Sequence, residues 1–276
     1  LRIEYADGSQ ATVVSDTSWK ITSKGPIVAN NEFDGEEYDA RLEMEGWNTN
    51  GFDDGAWKTP DVMEAPAGKL TAQQNPNIRV QETLKPVAVF DRPDGKYILD
   101  MGQNMVGWLS VNLKGKKGKP VSMKFAELLQ KDGSLYLANL RTAQVTDIYT
   151  PAEDGDFSWQ PRFVYHGFRF VEVSGHVIYD EMATTGRFET SNPLVNQIHK
   201  NSYWGIRSNY RGMPTDCPQR DERLGWLGDR ATGAYGEAFI FNNAQLYNKW
   251  LQDIEDSMSP EGSISDVSPN YWTIYA

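Results

Sequence analysis

Ser191-Asn192-Pro193-Leu194-Val195 divides the chain into two regimes. A polar cap followed by proline marks a helix start. The side chain accepts from free N–H groups, and proline at the first helical position has no N–H to leave unbonded. Beyond it, apolar residues recur at helical spacing. Leu194, Ile198, Tyr203, Ile206 and Tyr210 carry one helix to about Asn209. Ala231, Ala234, Tyr235, Ala238 and Phe239 fall at i, i+3, i+4, i+7 and i+8 and predict a second. Leu246, Trp250 and Ile254 predict a third, with Asp253, Glu255 and Asp256 on its wet side and Ser259-Pro260-Glu261-Gly262 as its end. Three helices with exposed apolar stripes do not close an α domain, so the pattern predicts partners beyond residue 276. The aromatic run Tyr271–Tyr275 either lines a cleft or packs a next helix.

Upstream of Ser191 the period changes to two. Leu109, Val111 and Leu113 alternate with Ser110 and Asn112, and Val121, Met123 and Phe125 with Ser122 and Lys124. Alternation gives strands with one buried and one wet face. The lysine-rich segment 114–120 between them reads as a solvated hairpin loop rather than an anion patch. Phe168, Phe170, Val171 and Val173 predict a closing strand stopped by Gly175. Nearer the start, Asp7-Gly8 predicts a hairpin between Ile3-Glu4-Tyr5 and Ala11–Val14. Breakers follow at Gly25-Pro26, Asp34-Gly35, Asp53-Asp54-Gly55 and Ala65-Pro66. Trp19, Trp47 and Trp57 are expected in a small core, ahead of a sugar-stacking platform. Acidic excess lies in residues 1–84 and 176–276, while the stretch between is slightly basic. The chain is therefore expected to hold a β domain at 1–84, a second at 85–178 and a helical region at 179–276.

Composition narrows the function. A net charge of −11 makes a nucleic-acid partner a poor fit, because phosphate binding needs basic stripes. Cys217 is the single cysteine, which rules out an internal disulfide and a cysteine-based zinc site. His166, His176 and His199 are scattered, and no acidic loop has calcium-ligand spacing, so no metal and no cofactor is expected. No stretch approaches the ~18 apolar residues of a membrane span, so no membrane insertion is expected. The chain opens directly into strand-like Leu1–Tyr5 and reads as a piece of something longer.

Chemistry concentrates in Met213-Pro214-Thr215-Asp216-Cys217-Pro218-Gln219-Arg220-Asp221-Glu222-Arg223-Leu224-Gly225-Trp226-Leu227-Gly228-Asp229-Arg230. Pro214 and Pro218 bar a regular helix from its first half. A helix starting near Gly228 puts Asp229 in its first turn, where the macrodipole favours an anion. The plain reading is a capped helix start with solvated ion pairs. The sharper one is a sugar site, in which carboxylates bind hydroxyls or donate a proton beside an aromatic wall while arginines keep some of them ionised. Cys217 has no histidine within the segment to activate it and is not expected to act as a nucleophile. His166, among Tyr165, Gly167 and Phe168, is expected to be a hydrogen-bonded packing residue.

The run Asp216–Asp229 resembles the signature of bacterial α-L-rhamnosidases, glycoside hydrolase family 78. Leu227 stands where the family usually has Thr, and Arg230-Ala231 replaces its Ala-Gln. Leu99–Trp108, Phe125–Leu129 and Tyr165–Arg169 are similar to motifs of the family's β-sandwich domain. Tyr5–Ser9, Tyr38–Arg41 and Gly46-Trp47 are similar to its N-terminal accessory domain. The resemblance thus runs over essentially the whole chain.

The resemblance implies two β-sandwich domains followed by the first helices of an (α/α)₆ barrel, truncated at its C-terminal side. It implies hydrolysis of terminal α-L-rhamnosides with inversion, with a rhamnose-containing oligosaccharide or glycoside as partner and a periplasmic or secreted location. Glu222 then matches the general acid. Asp216, Arg220 and Asp229 match residues lining the rhamnose pocket, and Trp226 matches its wall, facing the C6 methyl. The family's general base is a Glu later in the barrel, and no residue here corresponds to it. Inversion sets its two carboxyls roughly 6.5–9.5 Å apart, which the adjacent Asp221 and Glu222 suit poorly. The alternative is a non-catalytic carbohydrate-binding protein that keeps the pocket.

Overall fold

The computed structural model describes residues 1–65, 68, 71–74, 77–93, 95–172, 176–180 and 188–271. Pro66, Val173, Gly175 and Trp272–Tyr275, which the sequence singled out, lie outside them. β1 (Arg2–Glu4) and β2 (Gln10–Thr12) form the expected hairpin, with Gly8 at φ 83° in its turn. The remaining strands are β3 (Ile27–Asn31), β4 (Gly35–Asp39), β5 (Ile78–Thr83), β6 (Ala88–Asp91), β7 (Tyr97–Trp108), β8 (Val111–Gly115), β9 (Val121–Ala126), β10 (Leu128–Leu129), β11 (Leu135–Tyr136), β12 (Thr146–Thr150), β13 (Gly155–Trp159), β14 (His166–Val171) and β15 (His176–Asp180). One nine-stranded sheet runs β3-β4-β12-β9-β14-β7-β15-β5, with β6 added on β7. It crosses residue 84: β4 pairs with β12 and β5 with β15, both from later in the chain.

β8 pairs with β13 in a separate two-stranded sheet. The lysine-rich segment is therefore not a hairpin between paired neighbours. β9 has the expected alternation but pairs with β12 and β14, and the loop crosses from one sheet to the other. The reason lies in the core. Leu109, Val111 and Trp159 face Met123, Phe125, Tyr149 and Phe168 in one apolar cluster between the sheets. Pairing β8 with β9 would forfeit that layer.

Trp19 and Trp47 correct the sequence reading, since they are 49% and 57% exposed, and only Trp57 is half-buried, edge-on to Phe52 at 5.7 Å. Among the described residues between Thr12 and Ile27 and between Leu42 and Ile78 there is no strand, only turns, bends and irregular backbone with one isolated Ile21–Lys58 bridge, so no strand layer covers these rings.

Three helices close the described chain: α1 (Pro193–Arg207), α2 (Leu227–Glu237) and α3 (Ala244–Asp256). Asn192 caps α1 as expected, accepting from Leu194 N at 2.9 Å. Trp204 of α1 packs against the sandwich core. The helices share a small core of Tyr210, Phe241 and Leu246. Leu194, Ile198, Tyr235, Phe239 and Leu251 remain exposed. Among the described residues no helix is long and apolar enough to cross a membrane.

Candidate active site

The loop from Thr215 to Trp226 connects α1 to α2 and lies against the sandwich. Asp216 closes it: its N–H donates to Leu224 O at 3.0 Å, and its Oδ1 accepts from Leu224 N at 2.7 Å. Gly225 lets the loop meet the chain after α3, because a Cβ there would sit 2.1 Å from Ser268 O. Gly167 of β14 plays the same part from the sandwich side, where a Cβ would fall 2.9 Å from Pro218 Cγ.

Four of the five residues singled out by the sequence come together. Arg220 Nη2 donates to Asp216 Oδ2 at 3.3 Å, and its Nε donates to Glu222 Oε2 at 2.8 Å. Trp226, the cap residue of α2, donates its Nε1–H to Glu222 Oε1 at 3.0 Å. Both carboxylates are largely buried. Asp229 stands in the first turn of α2, exposed and outside this hydrogen-bonded cluster.

Cys217 beside them is buried, and burial pushes its thiol up to about 12. It stays protonated near neutrality, which removes a nucleophilic role. Asp216, Cys217 and Glu222 offer ligand atoms within 4.8 Å of one another. Arg220 and Arg141 already occupy the two carboxylates with their guanidinium groups, and a protonated thiol is a poor ligand, so the trio is badly matched to a cation.

Arg141 and Thr142 at this site carried no signal in the sequence. Arg141, from the turn between β11 and β12, sets Nη2 2.8 Å from Glu222 Oε2. Thr142 donates its hydroxyl to Asp221 Oδ2, which ties that carboxylate to the scaffold. Arg223 is only 2% exposed. Its Nη1 donates to Glu32 O at 2.7 Å and Tyr165 O at 3.3 Å, and its guanidinium lies 4.9 Å from the Tyr165 ring centre. Arg230 reaches back under the loop, donating to Thr215 O at 2.5 Å and to Glu237 Oε1 at 2.6 Å. Tyr210 and Tyr247 donate to the other Glu237 oxygen. Burial, with that acceptor, holds both phenols above their ordinary range. The departure of Arg230 from the family pattern is thus a support beneath the loop. His166 is fully buried, with Nε2 2.9 Å from Asp147 Oδ1, as a packing residue would be.

Residues 1–82 match the model of the alpha-L-rhamnosidase N-terminal domain and residues 90–190 that of the bacterial alpha-L-rhamnosidase concanavalin-like domain. Residues 183–276 match the bacterial alpha-L-rhamnosidase 6 hairpin glycosidase domain. The chain belongs to the bacterial α-L-rhamnosidase family. An α-L-rhamnosidase of Streptomyces avermitilis is 40% identical over 98% of this chain, a match that takes in 27% of the relative. One from Formosa agariphila is 38% identical over 98% of this chain and 31% of its own. Among solved structures, the α-L-rhamnosidase from Dictyoglumus thermophilum superposes with a TM-score of 0.94 at 41% identity, covering 99% of this chain and 32% of that one. The Streptomyces avermitilis α-L-rhamnosidase complexed with L-rhamnose gives 0.93 at 38% identity, over 99% of this chain and 28% of that one. The chain therefore spans about a third or less of these α-L-rhamnosidases, and carries their β domains and the start of their helical glycosidase domain.

Proposed function

We propose that this chain is the site-bearing front portion of a glycosidase that removes terminal α-L-rhamnose with inversion. Glu222 acts as general acid on the leaving oxygen. Asp216, Arg220 and Asp229 hold the sugar hydroxyls, and Trp226 presents its ring to the C6 methyl. The observation that carries this reading is the cluster itself: Asp216 and Glu222 share Arg220, and Glu222 is fixed by the Trp226 indole. In it the carboxyl, the cation and the aromatic wall stand on one short loop braced on both sides. The second carboxyl, which activates water on the opposite face of the ring, comes from a part of the protein outside this chain, at the separation inversion requires. The division into an accessory domain at 1–84, a sandwich at 85–178 and a barrel start at 179–276 belongs to the same proposal.

One observation favours a binding protein instead: among the described residues, the Glu222 carboxyl accepts from Arg220, Trp226 and Arg141 and donates to none. Proton delivery requires Oε2 to exchange a guanidinium for the glycosidic oxygen when substrate enters.

The test is a proton-NMR time course of a rhamnosyl disaccharide with the whole protein. Inversion yields β-L-rhamnose first, and the α anomer then grows by mutarotation. Initial release of the α anomer, or no release, overturns the proposal. The 276-residue chain alone releases none.

A further inference from the structure

We propose that Arg141, carried by the sandwich, is a positioning residue for Glu222, so that the β region completes the catalytic site. This rests on the reading of Glu222 as the acid.

Backbone geometry points there first. Among the described residues, those other than glycine with positive φ are Arg141 at 58°, Val145 at 45° and Arg223 at 52°. Such backbone is unfavourable for any side chain with a Cβ and persists only where the surroundings impose it. Arg141 and Val145 bound one short loop, and Arg223 directly follows Glu222. All three strained positions thus sit where the two loops meet.

The side chains show what the strain accomplishes. Arg141 Nη2 reaches Glu222 Oε2 at 2.8 Å, and the next residue, Thr142, donates to Asp221. Neighbours on one loop grip neighbours on the other. Both loops hang on one anchor, the turn between β3 and β4. Glu32 O accepts from Arg223, Phe33 O accepts from Val145 N at 3.3 Å, and Asp34 Oδ1 accepts from Gln144 N at 3.0 Å. Leu140 and Val145 are buried in the sandwich, so the base of the Arg141 loop is rigid.

Arg220 belongs to the same loop as Glu222 and moves with it. Arg141 does not. A second guanidinium on a separate, rigid support fixes the plane of the carboxyl relative to the sandwich. Its own side chain is half exposed, at the solvent edge of the cluster.

The experiment uses the whole protein and the variants Arg141→Gly, Arg141→Lys and Glu222→Gln. Glycine tolerates φ 58° without strain, so Arg141→Gly removes the cation while leaving the backbone content. On a rhamnosyl disaccharide, kcat of Arg141→Gly should fall by about tenfold or more, with KM held within about twofold. Arg141→Lys should restore kcat only in part, since an ammonium lacks the planar fork. An unchanged kcat overturns the proposal. So does a raised KM with kcat unchanged, which would make Arg141 a sugar contact. Glu222→Gln separates the two ideas. If it still cleaves the disaccharide, the acid assignment fails. If it is dead while Arg141→Gly behaves as wild type, only the positioning role fails.

Discussion

Phe125, Phe168, Met123 and Leu109 are fully buried in the sandwich, whereas α2 turns the same logic over. Its buried residues are Arg230 and Glu237, while its Tyr235 is 80% exposed and Phe239, just past its end, 65%. The sandwich is held by area removed from water, about 25 cal/mol for each Å² of apolar surface, a force with no preferred direction. The helical segment relies on charge pairs that are directional and carry a desolvation cost. Direction is what a site loop needs. Arg230 under Thr215, Arg223 on Glu32 and Tyr165, and Arg220 between Asp216 and Glu222 each fix a position rather than fill a volume. The contrast is not complete: the sandwich also buries Glu36, Asp147 and His166. Glu36 is pushed above its usual range by desolvation.

The largest test of this contrast removes one partner of the α2 pair. Glu237→Ala leaves Arg230 buried and unpaired and strands two tyrosine hydroxyls. It should cost about 3–5 kcal/mol by denaturant unfolding. A loss under about 1 kcal/mol would mean the pair is incidental.

A smaller effect separates the regions by pH. Arg169 donates to Asp100 and holds its carboxyl below the ordinary 3.8. A carboxyl lowered in the folded state binds fewer protons there than in the unfolded chain. Its contribution is therefore present above pH ~4 and lost as pH falls through the folded value. Asp100→Asn should flatten that acid-side decline in the sandwich. The effect should be about 1 kcal/mol or less, because Arg169 is partly in water. An identical decline in wild type and variant contradicts it.

The smallest effect concerns the exposed stripe. Phe239→Ser should leave the unfolding free energy of this chain within about 0.5 kcal/mol, since the ring already faces water. A loss of several kcal/mol would mean that the ring is buried by self-association.

Much of the fold was legible in the sequence because the signals are local. The cap at Asn192-Pro193, the Asp7-Gly8 turn and the two periods each act over a few residues. Strand partners were not legible: Val111 and Phe125 alternate alike, yet the core places them in different sheets. Trp19 and Trp47 misled because bulk alone does not say whether a layer exists to cover a ring. In the site, Asp216, Arg220, Glu222 and Trp226 were readable as one short segment. Arg141, Thr142 and Glu32 were not, because only the folded sheet brings them to Glu222 and its neighbours.

The central claim is that Glu222 delivers a proton while Asp216 holds the sugar. The measurement is kcat/KM of the whole protein and of Glu222→Gln and Asp216→Asn, each on a rhamnosyl disaccharide and on a nitrophenyl rhamnoside. An alkoxide leaves badly without a proton and a nitrophenolate leaves readily. Glu222→Gln should therefore lose about 10²–10⁴-fold on the disaccharide and far less on the nitrophenyl substrate. Asp216→Asn should lose equally on both, because the sugar is the same. Equal losses for Glu222→Gln on the two substrates would contradict the account and make Glu222 a binding residue.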